Sequence, residues 1–465
     1  GGRPQRTTST DEPSAIKPAA SAAEKVAIPH DVGGKVDRIP KDRTWSSPSI
    51  AGGTDTAVCN GQYSLFGSVE ATGLRSATAP RWPSSPSGCT RPRGRRVTVL
   101  PRFPIRRRYR AFIPARHQSA GPGSPLRVAV LAPIAWRTPP RHYGPWEQFA
   151  SLLTEGLVAA GHDVTLFATA DSITSATLHA TAPSGWSDDA TIDPKVAECL
   201  HIAAAFERAD DFDIIHNSFD FLPLTYSDLV TTPVITTIHG FSSPRILPAY
   251  ERYDATTHYV AISNADRHPR LHYTATIHHG IDTATFAVDP TPGDHLLYFG
   301  RIHPDKGTSH AIDVSHRTGR RLDIAGIVQD ERYFRDEVEP HLDDEHVRYL
   351  GPVTTSDRAA VLGGAHALLH LIDFDEPFGY SVVEAMACGT PVIAYTRGSM
   401  TELIDDRVTG YLVTNPDEAV EAVGRAGDLD RGTIRAVAVT RFDVTTMIDE
   451  YVAAYRTILS SYDVS

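Results

Sequence analysis

Nowhere in the 465-residue chain do about 18 apolar residues follow one another, so no membrane-spanning helix is expected. The opening stretch GGRPQRTTSTDEPS lacks the apolar core of a secretory signal. Cysteine is scarce. Cys59, Cys89, Cys199 and Cys388 are scattered without metal-ligand spacing or a disulfide framework, which fits a reducing cytoplasm. No G-x-G-x-x-G follows the first strand-like run, which disfavours a dinucleotide cofactor. The absence of G-x-x-x-x-G-K-[ST] and G-x-S-x-G counts against a P-loop NTPase and an α/β-hydrolase. Histidine is plentiful, at 21 residues, but none forms a His-x-x-x-His zinc helix.

The net charge of −11 conceals a division. Of 45 basic and 56 acidic residues, 20 and 8 fall within 1–125, leaving 25 and 48 for the rest. An acidic body disfavours nucleic acid as the main partner. Residues 1–125 are rich in Pro, Ser, Gly, Thr and Arg and show no useful helical or strand periodicity, so they read as a disordered basic extension or as sequence upstream of a natural start. The densest basic patch, Arg91–Arg110, leaves open an arm for an anionic partner.

Pattern begins at LRVAVLAP (Leu126–Pro133), a continuous apolar run of strand length. A helical stretch near Glu147–Ala160 and a second run, GHDVTLFATA, complete a βαβ unit, and FDIIHNS, TPVITTIHG and HYVAISN continue as strands. The pattern restarts at HLLYFGRI and runs through RLDIAGIV, VRYLGPV, HALLHLI and TPVIAY. Two successive α/β blocks predict two domains facing a cleft, 126–288 and 289–445, with the break near Asp282–Asp294 and a closing helix over 446–465.

Chemistry concentrates at two strand ends. In DEPFGYSVVEAMACGTPVIAY (Asp375–Tyr395), a strand runs through a loop containing Gly379 into a helix. Glycine lets the backbone approach a ligand, and a helix start offers unpaired N–H groups, so the turn suits a phosphate. Glu376 in the loop would lie beside that phosphate, and Glu384 within the helix would reach ribose hydroxyls. Equally, Ser381-x-x-Glu384 is a capping box, which would make Glu384 structural. GRIHPDKG (Gly300–Gly307) places Arg301 and Lys306 at one strand end, suited to a diphosphate or else simply a solvated basic loop. The Asp-x-Asp at Asp373–Asp375 is read as metal-free, because these cations can balance the phosphate charge. His239, just past a buried strand, is the best candidate for a site histidine; His278 and His279 read as structural or inter-domain.

EPFGYSVVEAMACGTPVIAY resembles the E-x7-E signature of retaining glycosyltransferase family 4, in the GT-B superfamily. GRIHPDKG, DRVTGYLV and YGPWE…LLTEGLVAAGHDVTLFATADS resemble further blocks of that family, in its order. FDIIHNSFDFLPL, TTIHG, ATIHHGID and LLGGAHALL are most similar to the branch that includes the avilamycin-cluster glycosyltransferase. The resemblance covers about Leu126 to Leu459.

It implies a GT-B fold, two Rossmann-like domains with a C-terminal helix crossing back. It also implies transfer of a hexosyl unit from a UDP- or GDP-sugar to an acceptor hydroxyl, with no cofactor and no metal. By resemblance Arg301 and Lys306 hold the donor diphosphate, Glu384 the ribose and Glu376 the sugar, with backbone N–H groups at Phe378, Gly379, Tyr380 and Ser381 on sugar and phosphate. His239 sits at the reacting face, and Gly144 belongs to the first-domain loop that closes on the diphosphate. Two departures stand out. Gly144-Pro145 replaces the family's Gly-Gly and removes one N–H donor, and Ser381 replaces an apolar residue. A phosphorylase using a sugar phosphate and a non-catalytic nucleotide-sugar-binding protein are the alternatives.

Overall fold

The computed structural model describes residues 124–462, apart from 142–143, 242 and 289–292, together with Gly1. Except for its ends, the extension 1–125, with its Arg91–Arg110 patch, lies outside the described residues. So does the proline-bearing segment 289–292 between the two blocks.

Two parallel sheets form the described part of the chain. The first has seven strands, β1 (Arg127–Leu131), β2 (Asp163–Phe167), β3 (Thr177–His179), β4 (Ile214–Asn217), β5 (Val234–Ile238), β6 (His258–Ala261) and β7 (Tyr273–Thr276), in the order β3-β2-β1-β4-β5-β6-β7. The second has six, β8 (Leu296–Phe299), β9 (Leu322–Ala325), β10 (Val347–Gly351), β11 (Ala367–His370), β12 (Val392–Tyr395) and β13 (Gly410–Val413), in the order β10-β9-β8-β11-β12-β13. The expected α/β architecture of two Rossmann-like domains is what the chain adopts. Its central strands are the continuous apolar runs, since a parallel strand covered on both faces has no polar side. Val128 to Leu131 of β1 are fully buried. Three strands carry no such run and escaped the sequence reading: β3, β7 and β13. All three are sheet edges, where one side of the strand lacks a neighbour.

Seven helices matter for the site: α1 (Pro145–Ala159), α2 (Thr308–Thr318), α3 (Thr355–Gly363), α4 (Tyr380–Ala387), α5 (Met400–Leu403), α6 (Arg431–Phe442) and α7 (Val444–Tyr462). The last does not stay with the second sheet. At the crossover the Ile281 N–H donates to Phe442 O (2.8 Å) and the Val444 N–H donates to Ile281 O (2.9 Å). From there α7 lays Met447, Ile448, Tyr451 and Tyr455 into the core built by Val128, Phe149, Leu153 and Leu157. Gly156 of α1 permits this contact: a Cβ there would stand 2.4 Å from Ile448 Cγ1. Two buried polar links fix the register, His216 Nδ1 with Tyr455 OH (2.6 Å) and Thr237 Oγ1 with Tyr451 OH (2.8 Å). Because β4 and β5 carry these partners, α7 braces the strand that His239 follows.

Candidate active site

The chain leaves each central strand at its C-terminal end, and in parallel sheets that is where loops converge on a ligand. His239 and Gly240 follow β5, Gly300 and Arg301 follow β8, and the loop to Glu376 follows β11. These ends, the start of α1 and the start of α4 enclose one cavity of about 320 Å³. The residues given a donor or catalytic role by the resemblance all line it: Gly144, His239, Arg301, Lys306, Glu376, Phe378, Gly379, Tyr380, Ser381 and Glu384.

The charges inside are paired. Lys306 Nζ donates to Glu376 Oε2 at 2.6 Å and lies 4.4 Å from the centre of the Phe374 ring. Burial opposes ionisation of Glu376, but Lys306, His370 and Arg301 outweigh it and hold the carboxyl below its ordinary range. Glu384 accepts from Arg358 Nη1 at 2.7 Å; burial nevertheless raises its carboxyl above the usual range, against the pull of Arg358. Arg301 donates to Gln329 Oε1. Arg358, Gln329 and His370 escaped the sequence reading. No local motif marks them, and Arg358 comes to Glu384 only because α3 packs beside α4.

The helix start differs from expectation. Gly379 is the N-cap, at φ 125°, and α4 begins at Tyr380, with no side-chain capping bond. Ser381 is therefore inside the first turn, and Glu384 turns to Arg358 instead of completing a capping box. The reason is Gly379, which takes a backbone conformation that other residues rarely adopt and so starts the helix before serine can cap it. The Val382 and Val383 N–H groups donate back to Gly379 O, at 3.1 and 3.4 Å. The N–H groups ahead of them belong to a first turn, which has no intrahelical acceptors to offer. Gly144 similarly forms the N-cap of α1, with Pro145 as its first residue.

Opposite α4 stands an aromatic wall. His239 stacks on Trp146 (centroids 5.5 Å apart) and meets the edge of Phe149 (4.7 Å). Its Nδ1 lies 3.3 Å from His279 Nε2, and His279 in turn stacks on Tyr380 at 5.1 Å. Burial lowers His239 to about 3 and drives His279 well below its usual value, so both are neutral at physiological pH. His239 Nε2 is buried with no protein partner among the described residues. The sequence reading of the two later histidines divides. His278 does join the domains, through Nε2 to Glu402 Oε2 (3.3 Å), whereas His279 is part of the site wall.

The Asp-x-Asp at Asp373–Asp375 and a second one, at Asp211–Asp213, each contribute an aspartate to an ion pair. Asp373 pairs with Arg397 at 3.0 Å, and Asp213 pairs with Arg127 at 2.6 Å. Among the described residues no group of three or more His, Cys, Asp or Glu side chains is placed to hold a metal ion.

Two Rossmann-like domains with this cavity at the strand ends define the GT-B glycosyltransferase fold. Residues 288–427 match the family model described as glycosyl transferases group 1. The chain is 29% identical over 184 residues to the phosphatidyl-myo-inositol mannosyltransferase of Mycobacterium leprae (strain TN), covering 37% of this chain and 49% of that protein. It is 24% identical over 359 residues to the glycogen synthase of Mycobacterium tuberculosis (strain CDC 1551 / Oshkosh), covering 64% and 85%. The chain thus spans about half of the first relative and most of the second. Among solved structures it is similar to AviGT4, a glycosyltransferase involved in avilamycin A biosynthesis, with 25% identity, a TM-score of 0.53, and coverage of 72% of this chain and 98% of that one.

Proposed function

We propose that the chain is a retaining, metal-independent glycosyltransferase of family 4, in the branch similar to AviGT4, moving a hexosyl unit from a UDP- or GDP-sugar to an acceptor hydroxyl in the cytoplasm. The observation that carries this reading is the single cavity in which Arg301, Lys306 and the α4 start face the same space as His239. Departure of a nucleoside diphosphate builds negative charge on the phosphate and positive charge on the anomeric carbon. Fixed cations and N–H groups aimed at the leaving group are the main stabilisers of such a transition state. Arg301, Lys306 and the first turn of α4 supply them here. Lys306 exchanges part of its contact with Glu376 for the diphosphate, which frees Glu376 to accept from sugar hydroxyls. Glu384, oriented by Arg358, accepts from the ribose. His239 is neutral, so it can hydrogen-bond the sugar without repelling the developing positive charge. In this reading a leaving phosphate oxygen on the same face takes the acceptor proton, and no protein nucleophile is needed.

The test is thermal-shift screening of the full chain against UDP, GDP, ADP, their sugars and free sugar phosphates, followed by turnover with and without EDTA. A ligand at a hundred times its Kd stabilises the folded state by about 2.7 kcal/mol. UDP or GDP and their sugars should raise Tm, and EDTA should leave turnover unchanged. A shift from sugar phosphate alone would favour the phosphorylase alternative, and activity that EDTA abolishes and Mg²⁺ or Mn²⁺ restores would overturn metal independence.

A further inference from the structure

A second cavity, of about 250 Å³, adjoins the first, and Glu376 and Pro377 line both. Its other walls are Phe241 and the turn Ala265–Pro269 from the first domain, and Asp375 and Gly398 from the second. Whatever fills it lies next to the place given above to the transferred sugar, so this inference rests on that reading.

Asp266 is the unusual group. Its Oδ2 is buried and has no hydrogen-bond partner among the described residues. Burial raises the carboxyl to about 7. The neighbouring side chains are engaged elsewhere: the Arg267 guanidinium lies 4.8 Å from the Tyr273 ring centre and donates to Thr276 Oγ1 (3.1 Å). The His268 ring packs at 5.8 Å from Phe241, and its Nδ1 accepts from the Arg270 N–H (3.2 Å). The turn is not loose. Glu402 of the second domain accepts from the Asn264 N–H (2.8 Å) and the Ala265 N–H (2.7 Å), and the Asp266 N–H donates to Ser263 Oγ (3.1 Å). A buried oxygen held this firmly without a donor costs stability that a ligand hydroxyl would restore.

We infer that this cavity is the acceptor subsite and that the acceptor is an unphosphorylated polyhydroxyl compound donating a hydroxyl hydrogen bond to Asp266. Phe241 offers an apolar face to sugar C–H groups. Asp375 and Glu376 add negative charge, so a phosphate ester on the part of the acceptor that enters would meet repulsion.

The experiment uses the full chain saturated with UDP or GDP, whichever binds. Methyl α-glucoside, methyl α-mannoside, methyl α-galactoside and myo-inositol are titrated by saturation-transfer NMR beside their monophosphate esters, on the wild type, Asp266→Ala and Asp266→Asn. At least one neutral probe should bind, more tightly than its ester. Asp266→Ala should weaken it about tenfold or more. Asp266→Asn, whose amide oxygen still accepts, should recover part of the loss. Nucleotide affinity should be equal in all three proteins, which also shows that the variants fold. Intact nucleotide affinity with no neutral probe bound, with esters preferred, or with binding indifferent to Asp266→Ala overturns this inference alone. Absent nucleotide affinity in the wild type overturns the donor reading beneath it.

Discussion

Glu376 and Glu384 stand on either side of one helix start, each against its own cation, Lys306 and Arg358. The two carboxyls are shifted in opposite directions: Lys306, His370 and Arg301 hold Glu376 below its ordinary range against burial, while burial keeps Glu384 above its own against the pull of Arg358. Their substitutions should separate. Glu384→Gln removes the charge that Arg358 orients, so it should weaken free nucleoside diphosphate as well as the intact donor. A hydrogen bond to a charged group is worth roughly 1.5–3 kcal/mol, or about 10- to 100-fold. Glu376→Gln should leave free nucleotide binding nearly intact and slow transfer. Calorimetry with nucleotide and donor on both variants decides the matter. Normal nucleotide affinity in Glu384→Gln, with only a lower Tm, would reduce Glu384 to the partner of Arg358. Loss of bare nucleotide in Glu376→Gln would misplace the sugar.

At the scale of the element, α4 carries the site because its first turn is set by Gly379. The residue takes φ 125°, and a Cβ there would come within 3.0 Å of Met400 Cε. The side chain of methionine can give way, but the backbone conformation cannot be kept without strain, worth about 1–3 kcal/mol. Gly379→Ala should therefore lower stability by about that amount and also weaken nucleoside diphosphate binding, because the helix start would shift away from the cavity. A melting curve with a nucleotide titration checks it; unchanged affinity would mean that the first turn of α4 does not meet the phosphate. The sequence showed the glycine and the helix but placed the cap on Ser381. A capping box is a local pattern, and it fails when a neighbouring glycine can start the helix sooner.

For the whole molecule, the buried histidines set a pH dependence. Burial lowers His216 and His239 to about 3, His201 and His370 to about 4, and His279 well below its usual value. An unfolded chain protonates each near its ordinary value, so below about pH 6.5 the unfolded state binds more protons and stability falls with pH. Buried acids act in the opposite sense, Glu147 and Asp266 at about 7, Asp220 at about 6, and Glu384, Glu198 and Glu450 above their usual range, since they hold a proton in the fold where the unfolded chain has released it. Burial also lowers His162, His179, His258, His278, His295 and His366, which leaves the histidines dominant. Each unbalanced proton is worth about 1.4 kcal/mol per pH unit. Tm should thus be highest near neutrality and fall between pH 6.5 and 4; a Tm that rises or stays level across that window would show that these histidines are not held neutral.

What the sequence determined by itself is short-range. Apolar runs bounded by polar or glycine residues marked the central parallel strands, and the turn DEPFGYSVVE and the loop GRIHPDKG already stood out as two strand ends, which the fold brings to one cavity, because strand burial and helix starts depend on a few consecutive residues. Tertiary structure decided the pairings. Lys306 meets Glu376 across 70 positions, Arg358 meets Glu384 across 26, His239 meets His279 across 40, and His216 meets Tyr455 across 239. Edge strands β3, β7 and β13 and the return of α7 into the first core were settled the same way. Such contacts follow from which strands become neighbours and which helix faces cover them, and the energy that selects them is burial summed over the assembled sheets, which no local spacing in the chain records.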